Sequence, residues 1–118
     1  MLATRFENHA RAVVYGGDCL KLLRDVPDES VQLVVTSPPY NIGKPYETKL
    51  SLKEYVTQQE KVIEACERVL APTGSICWQV GNYVDKGQIT PLDIVLYPVF
   101  ERFVLSLTDV NDWVLGLR

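Results

Sequence analysis

The 118 residues contain one histidine and three cysteines, with no Cys-x-x-Cys pair. Structural zinc modules draw on clustered cysteine and histidine, so this scarcity excludes them. Cys19, Cys66 and Cys77 lie far apart, and their apolar neighbours predict packed thiols. An odd, scattered set argues for a reducing compartment over a disulfide framework. No apolar run reaches membrane-spanning length. Residues 1–11 are polar, with charges of both signs and no signal-peptide core, so a cytoplasmic location is expected. Positive charge is not in excess: twelve Lys and Arg face fifteen Asp and Glu, a net charge of −3. No broad basic face is available, and the local concentration of cations is Lys44, Lys49 and Lys53. These lysines read either as a solvated loop or as contacts to phosphate. Repeats, linkers and low-complexity segments are lacking, and no Gly-x-Gly occurs among the seven glycines.

What is present suits a single α/β domain over residues 1–118, with 47% hydrophobic and 23% charged residues. The chain is organised around residues 31–41. Val31 to Thr36, interrupted only by Gln32, predicts a buried strand. It runs directly into Ser37-Pro38-Pro39-Tyr40. Two prolines cannot continue a ladder, and they bias Ser37 and Pro38 away from helical angles. A stiff, extended loop at the carboxyl end of a strand follows, which is where open α/β sheets bind ligands. Ser37 offers a hydroxyl, Pro38 a fixed carbonyl and Tyr40 a flat face. Two acceptors beside a ring would hold a planar group that carries an exocyclic amine.

This loop resembles the signature of the amino-methylating DNA methyltransferases, Asp/Asn/Ser-Pro-Pro-Tyr/Phe/Trp. The resemblance implies a partial Rossmann-like fold, S-adenosylmethionine-dependent, with a mostly parallel sheet and flanking helices. It implies methyl transfer from S-adenosylmethionine to cytosine N4 or adenine N6 in double-stranded DNA, with the target base flipped out. Ser37, Pro38, Pro39 and Tyr40 are then the catalytic residues, and serine in first place leans towards cytosine. Gly17-Asp18-Cys19 resembles the element that ends the strand before the catalytic one. Gly17, Asp18 and Ser37 are the implied cofactor contacts, and no metal is implied.

Read in order, residues 12–16 predict a short buried strand and Gly16-Gly17 a turn. Asp18 is placed to cap a helix from 19 to about 26, with Cys19, Leu22, Leu23 and Val26 on one face. The order strand, helix, strand predicts a parallel crossover from 12–16 to 31–36. Residues 41–50 form a loop that the family closes over its base, with Tyr46 a candidate second ring. Ser51 and Glu54 make a capping box for a helix to about residue 70. Leu52, Tyr55, Val56, Val62, Ile63, Cys66, Val69 and Leu70 recur at helical spacing. Pro72-Thr73-Gly74 should stop that helix before a strand over 75–80. Asp85-Lys86-Gly87 predicts a turn, and Thr90-Pro91 the N-cap and first residue of a last helix. That helix carries Leu92, Val95, Leu96, Val99 and Phe103 inward, and Pro98 should kink or break it. Residues 104–118 depart from the family pattern and read as a hairpin or an atypical tail.

Enzymes of the resembled family hold the methionine part of the cofactor on a Phe-x-Gly-x-Gly loop. In one permuted class that loop follows the proline loop, after a target-recognition region. The sequence is therefore expected to be the N-terminal part of such an enzyme, truncated or split. A complementary chain bearing the glycine loop is one expected partner. A catalytically inactive remnant or subunit is the alternative, and an RNA or protein amine methylase a third.

Overall fold

The computed structural model describes residues 2–39 and 50–103 in full, and the backbone of 107–110 and 115–117. Tyr40, Lys44, Tyr46 and Lys49, all named above, lie outside the described residues.

Two very short strands, β1 (Leu2–Ala3) and β2 (Ala12–Val13), pair in parallel. Helix α1 (Cys19–Asp25) follows, then β3 (Val31–Thr36). The long helix α2 (Leu52–Val69) leads into β4 (Leu70–Trp78). A hairpin of β5 (Asn82–Asp85) and β6 (Gln88–Pro91) precedes α3 (Leu92–Arg102). A last hairpin, β7 (Leu107–Val110) and β8 (Leu115–Leu117), joins the main sheet, whose order is β3-β4-β8-β7. The parallel arrangement expected from the sequence holds for the pair that carries the loop, β3 and β4. The hairpin adds antiparallel pairing along the other edge of β4.

The core forms where α2 and α3 cover one face of that sheet. Tyr55, Ile63, Cys66, Leu70, Ile76, Trp78, Leu92, Leu96, Val99 and Phe100 make one buried cluster. The α2 residues recur at steps of three and four, as the capping box and apolar period predict. Ser51 accepts from Glu54 N at 3.2 Å, which fixes the start of the helix. Trp78 meets Phe100 edge to face, with ring centroids 5.6 Å apart. Its indole N–H donates to Gln59 Oε1 at 3.2 Å, which explains a buried glutamine amid the apolar stripe.

Several expectations are corrected. The 31–36 strand exists, but it is not buried on both faces: Leu33 and Val35 are 55% and 69% exposed. Val34, of the opposite parity, packs on the core. The 12–16 strand is shorter and open, with Val14 63% exposed. It pairs with β1 and shares no ladder with β3, so the expected crossover does not join neighbouring strands of one described sheet. Cys19 is exposed, not packed.

Pro72-Thr73-Gly74 does not separate helix from strand. The chain turns extended at Leu70, and these residues lie within β4, opposite an irregularity between Val31 and Leu33. Gly74 is required there because a Cβ would come within 2.7 Å of the Leu70 side chain and 3.0 Å of the Gln32 carbonyl oxygen. Lys86 and Gly87 do turn the β5–β6 hairpin, at φ 50° and 80°, the left-handed pair that suits the twist of the strands. Thr90 stays in β6, and Pro91 takes the N-cap position. Pro98 is accommodated inside α3 without breaking it, and Phe100 is buried where the sequence favoured Phe103.

Candidate functional site

Ser37, Pro38 and Pro39 leave the carboxyl end of β3, beside the carboxyl end of β4. The register pairs Thr36 with Trp78, and Gln79 N donates to Thr36 O at 2.9 Å. Parallel strands in register end together, so the residue after Trp78 is carried beside the residue after Thr36. The Ser37 hydroxyl consequently donates to Gln79 Oε1 at 2.5 Å. A second brace comes from α2. The Tyr55 hydroxyl donates to the Pro39 carbonyl at 2.7 Å, while the Tyr55 residue itself is 2% exposed. Serine and both prolines are thus tied to the neighbouring strand and to the helix that covers it.

Ser37 and Pro39 are exposed and Pro38 is half-buried. The loop is therefore accessible at an open sheet end. Tyr40, the next residue, lies outside the described residues, as do Lys44 and Lys49; Lys53 is exposed near the start of α2.

Asp18 and Gly17 stand elsewhere, between β2 and α1. Asp18 Oδ1 accepts from Leu20 N at 2.9 Å, an N-cap bond. The other carboxylate oxygen takes part in no described bond, and the residue is exposed, so it suits a polar ligand group. Gly17 has φ 154°, and a Cβ there would press the Tyr15 ring at 3.0 Å. Tyr15 by itself accounts for the glycine. The proline loop and the Asp18 turn arise from different sheets, with no described hydrogen bond between them.

Two clefts are described, and neither includes Ser37. One, of about 740 Å³, is lined by Asp28, Glu29, Leu70 and Pro72 among others. Val31 pairs with Leu70, so this cleft lies at the amino ends of β3 and β4, away from the proline loop. The other, of about 370 Å³, runs between α1 and α2 and reaches Asp18, Lys21, Arg24 and Arg68. Among the described residues no cluster of three or more His, Cys, Asp or Glu could hold a metal ion.

Gln79 and Tyr55 were not singled out by the sequence. Gln79 reads as the polar end of a strand, and Tyr55 as one member of an apolar stripe. A polar residue at the carboxyl end of the strand neighbouring the proline loop is the one local signal that marks Gln79.

Comparison with known proteins places this geometry. The DNA methylase family of the N6/N4 type matches residues 31–115. The type II methyltransferase M.BglII of Bacillus subtilis is 55% identical over 102 residues, covering 86% of this chain and 28% of the relative. M.ScaI of Streptomyces caespitosus is 39% identical over 88 residues, covering 72% of this chain and 29% of the relative. Among solved structures, TTHA0409 of Thermus thermophilus, titled a DNA modification methylase, superposes with a TM-score of 0.71 at 21% identity. That match covers 86% of this chain and 50% of the other, and it speaks for the fold alone. The cytosine-N4-specific PvuII DNA methyltransferase gives a TM-score of 0.64 at 25% identity, over 87% of this chain and 46% of that one. The chain spans less than a third of M.BglII and M.ScaI. With its signature loop, its sheet and more than half of its length matched, the chain belongs to the N6/N4 DNA methylase family.

Proposed function

We propose that this chain carries the base-amine side of a DNA methyltransferase site. The observation that supports it is the proline loop at an open strand end, tied to β4 through Gln79 and to α2 through Tyr55. The target is the exocyclic amine of a base flipped out of the duplex, cytosine N4 in preference to adenine N6. The Ser37 hydroxyl oxygen and the Pro38 carbonyl accept the two N–H bonds of that amine. Acceptance on both sides draws the nitrogen lone pair out of conjugation with the ring. Pro39 keeps the loop extended, and Tyr40 stacks on the base. S-adenosylmethionine supplies an electrophilic methyl group. As the N–C bond forms, the S–CH₃ bond breaks and the amine gives up one proton. Fixed acceptors help because displacement of this kind depends on holding amine and donor in line at near-attack distance.

Asp18 and Gly17 are the residues proposed to meet the adenosine end of the cofactor. A structure of TTHA0409 complexed with S-adenosylmethionine, at 22% identity and TM-score 0.69, shows that the matched fold takes this group in that protein. The methionine end calls for a glycine loop, and these 118 residues contain no Gly-x-Gly. That part of the site is proposed to come from other residues, on the same polypeptide or on a complementary chain. The same lack supports the second reading, a subunit or remnant that binds a partner without turnover.

The test is DNA from cells that lack other methyltransferases and express the protein. N4-methylcytosine, measured by mass spectrometry of the nucleosides, should appear and should vanish with Ser37→Ala. N6-methyladenine in its place would reverse the preferred base. Neither product, with a fold confirmed by circular dichroism, would favour the second reading.

A further inference from the structure

We infer that Gln79 is a positioning residue that makes Ser37 accept and never donate, so that the site takes an amine and refuses a carbonyl. The inference rests on the base-amine reading above and deepens it.

A serine hydroxyl has one proton and two lone pairs, and left alone it rotates to suit any partner. A free hydroxyl at this place would bind the amine of cytosine by accepting. It would bind the C4 carbonyl of uracil or thymine equally well by donating. The described geometry removes that choice. The Ser37 proton is committed to Gln79 Oε1 at 2.5 Å, which leaves lone pairs to face a ligand. The commitment is enforced by the fold, because Gln79 N is itself fixed on Thr36 O at 2.9 Å, at the end of a parallel ladder. A base that brings a carbonyl to this place meets oxygen against oxygen. It must either break the Ser37–Gln79 bond or leave its own acceptor unpaired, and both are unfavourable. An aspartate or asparagine in the first position of the loop would present a side-chain carbonyl oxygen directly. A serine needs a neighbour to hold its proton, and Gln79 supplies it.

The probes are 2′-deoxycytidine and 2′-deoxyuridine 5′-monophosphates, which share ring, sugar and phosphate and differ in the 4-substituent. Each is titrated into the isotopically labelled chain by NMR, with wild type, Gln79→Leu and Gln79→Glu compared after circular dichroism confirms folding. Wild type should prefer the cytidine nucleotide by about tenfold or more, the order expected for a site that pairs one polar group and rejects its opposite. Gln79→Leu, which cannot accept, should bring the two within about twofold, chiefly by improving the uridine nucleotide. Gln79→Glu keeps an acceptor and should keep the preference. Undiminished preference in Gln79→Leu overturns the inference, and so does loss of preference in Gln79→Glu, which would mean that the amide group had been donating. Binding of neither nucleotide by wild type counts against base capture itself. The Ser37 hydroxyl proton then decides Gln79 separately: slow exchange in wild type and fast exchange in Gln79→Leu support the inference, and equal exchange sinks it.

Discussion

Side chains at two depths show how the same residue type is put to different use. Cys66 is 5% exposed on the inner face of α2, and burial, with a smaller contribution from Cys19, pushes its thiol up to about 11. Cys19 is exposed at the start of α1, and its thiol is raised by partial burial and then by the Asp18 carboxylate. A thiol whose folded pKa exceeds its unfolded value of 9.0 holds its proton more tightly when folded. Its contribution to stability is complete below pH 9 and is lost as pH rises towards 11. A shift of that size corresponds to about 2 to 3 kcal/mol over the window. Denaturant melts at about pH 8 and about pH 11, on either side of that window, should show a larger loss for wild type than for Cys66→Ala. Equal losses would place the alkaline sensitivity on other groups.

Elements are fixed by a few contacts that cross between them. Arg68, near the end of α2, donates to the Val26 carbonyl at 3.1 Å and to the Leu23 carbonyl, and pairs with Asp28 Oδ1 at 2.5 Å. It gathers the orphan carbonyls at the end of α1 and anchors that helix, none of whose residues is fully buried. Gly74 does the corresponding work between strands. The irregular pairing of β3 and β4 brings the Gln32 carbonyl over it, and Leu70 folds against it. Gly74→Ala should therefore destabilise by about 1 to 3 kcal/mol, the usual range for an overpacked site. The measurement is the denaturant midpoint at constant m, and a change below about 0.5 kcal/mol, the size of an ordinary surface effect, would show that the strand has room.

At the scale of the molecule, one face of the sheet is covered and the other is not. Leu33 and Val35 stand on the bare side, next to Ser75 and Cys77 in register. Among the described ladders β3 has β4 as its neighbour and an open second edge. Such an edge with an apolar face tends to associate. The isolated chain should show concentration-dependent self-association in sedimentation velocity, reduced by the pair Leu33→Thr and Val35→Thr, which keep β-branched residues in the strand. A monomer across the whole concentration range would show that the bare face is tolerated. No helix among the described residues is long and apolar enough to cross a membrane.

Local chemistry by itself determined much of this protein. The proline pair ends β3, Ser51 and Glu54 start α2, and Lys86-Gly87 turns a hairpin, because each depends on residues within a few positions of one another. The apolar period of α2 likewise marked Ile63, Cys66 and Val69 as core. Tertiary structure alone decided what stands beside Ser37. Gln79 lies 42 residues away in sequence, and only the parallel register of β3 and β4 brings their ends together. It also decided that Gln59 is buried, through the indole of Trp78, and that Leu33 and Val35 are bare. Hydrophobicity says which residues gain from leaving water, but coverage depends on whether another element arrives over them.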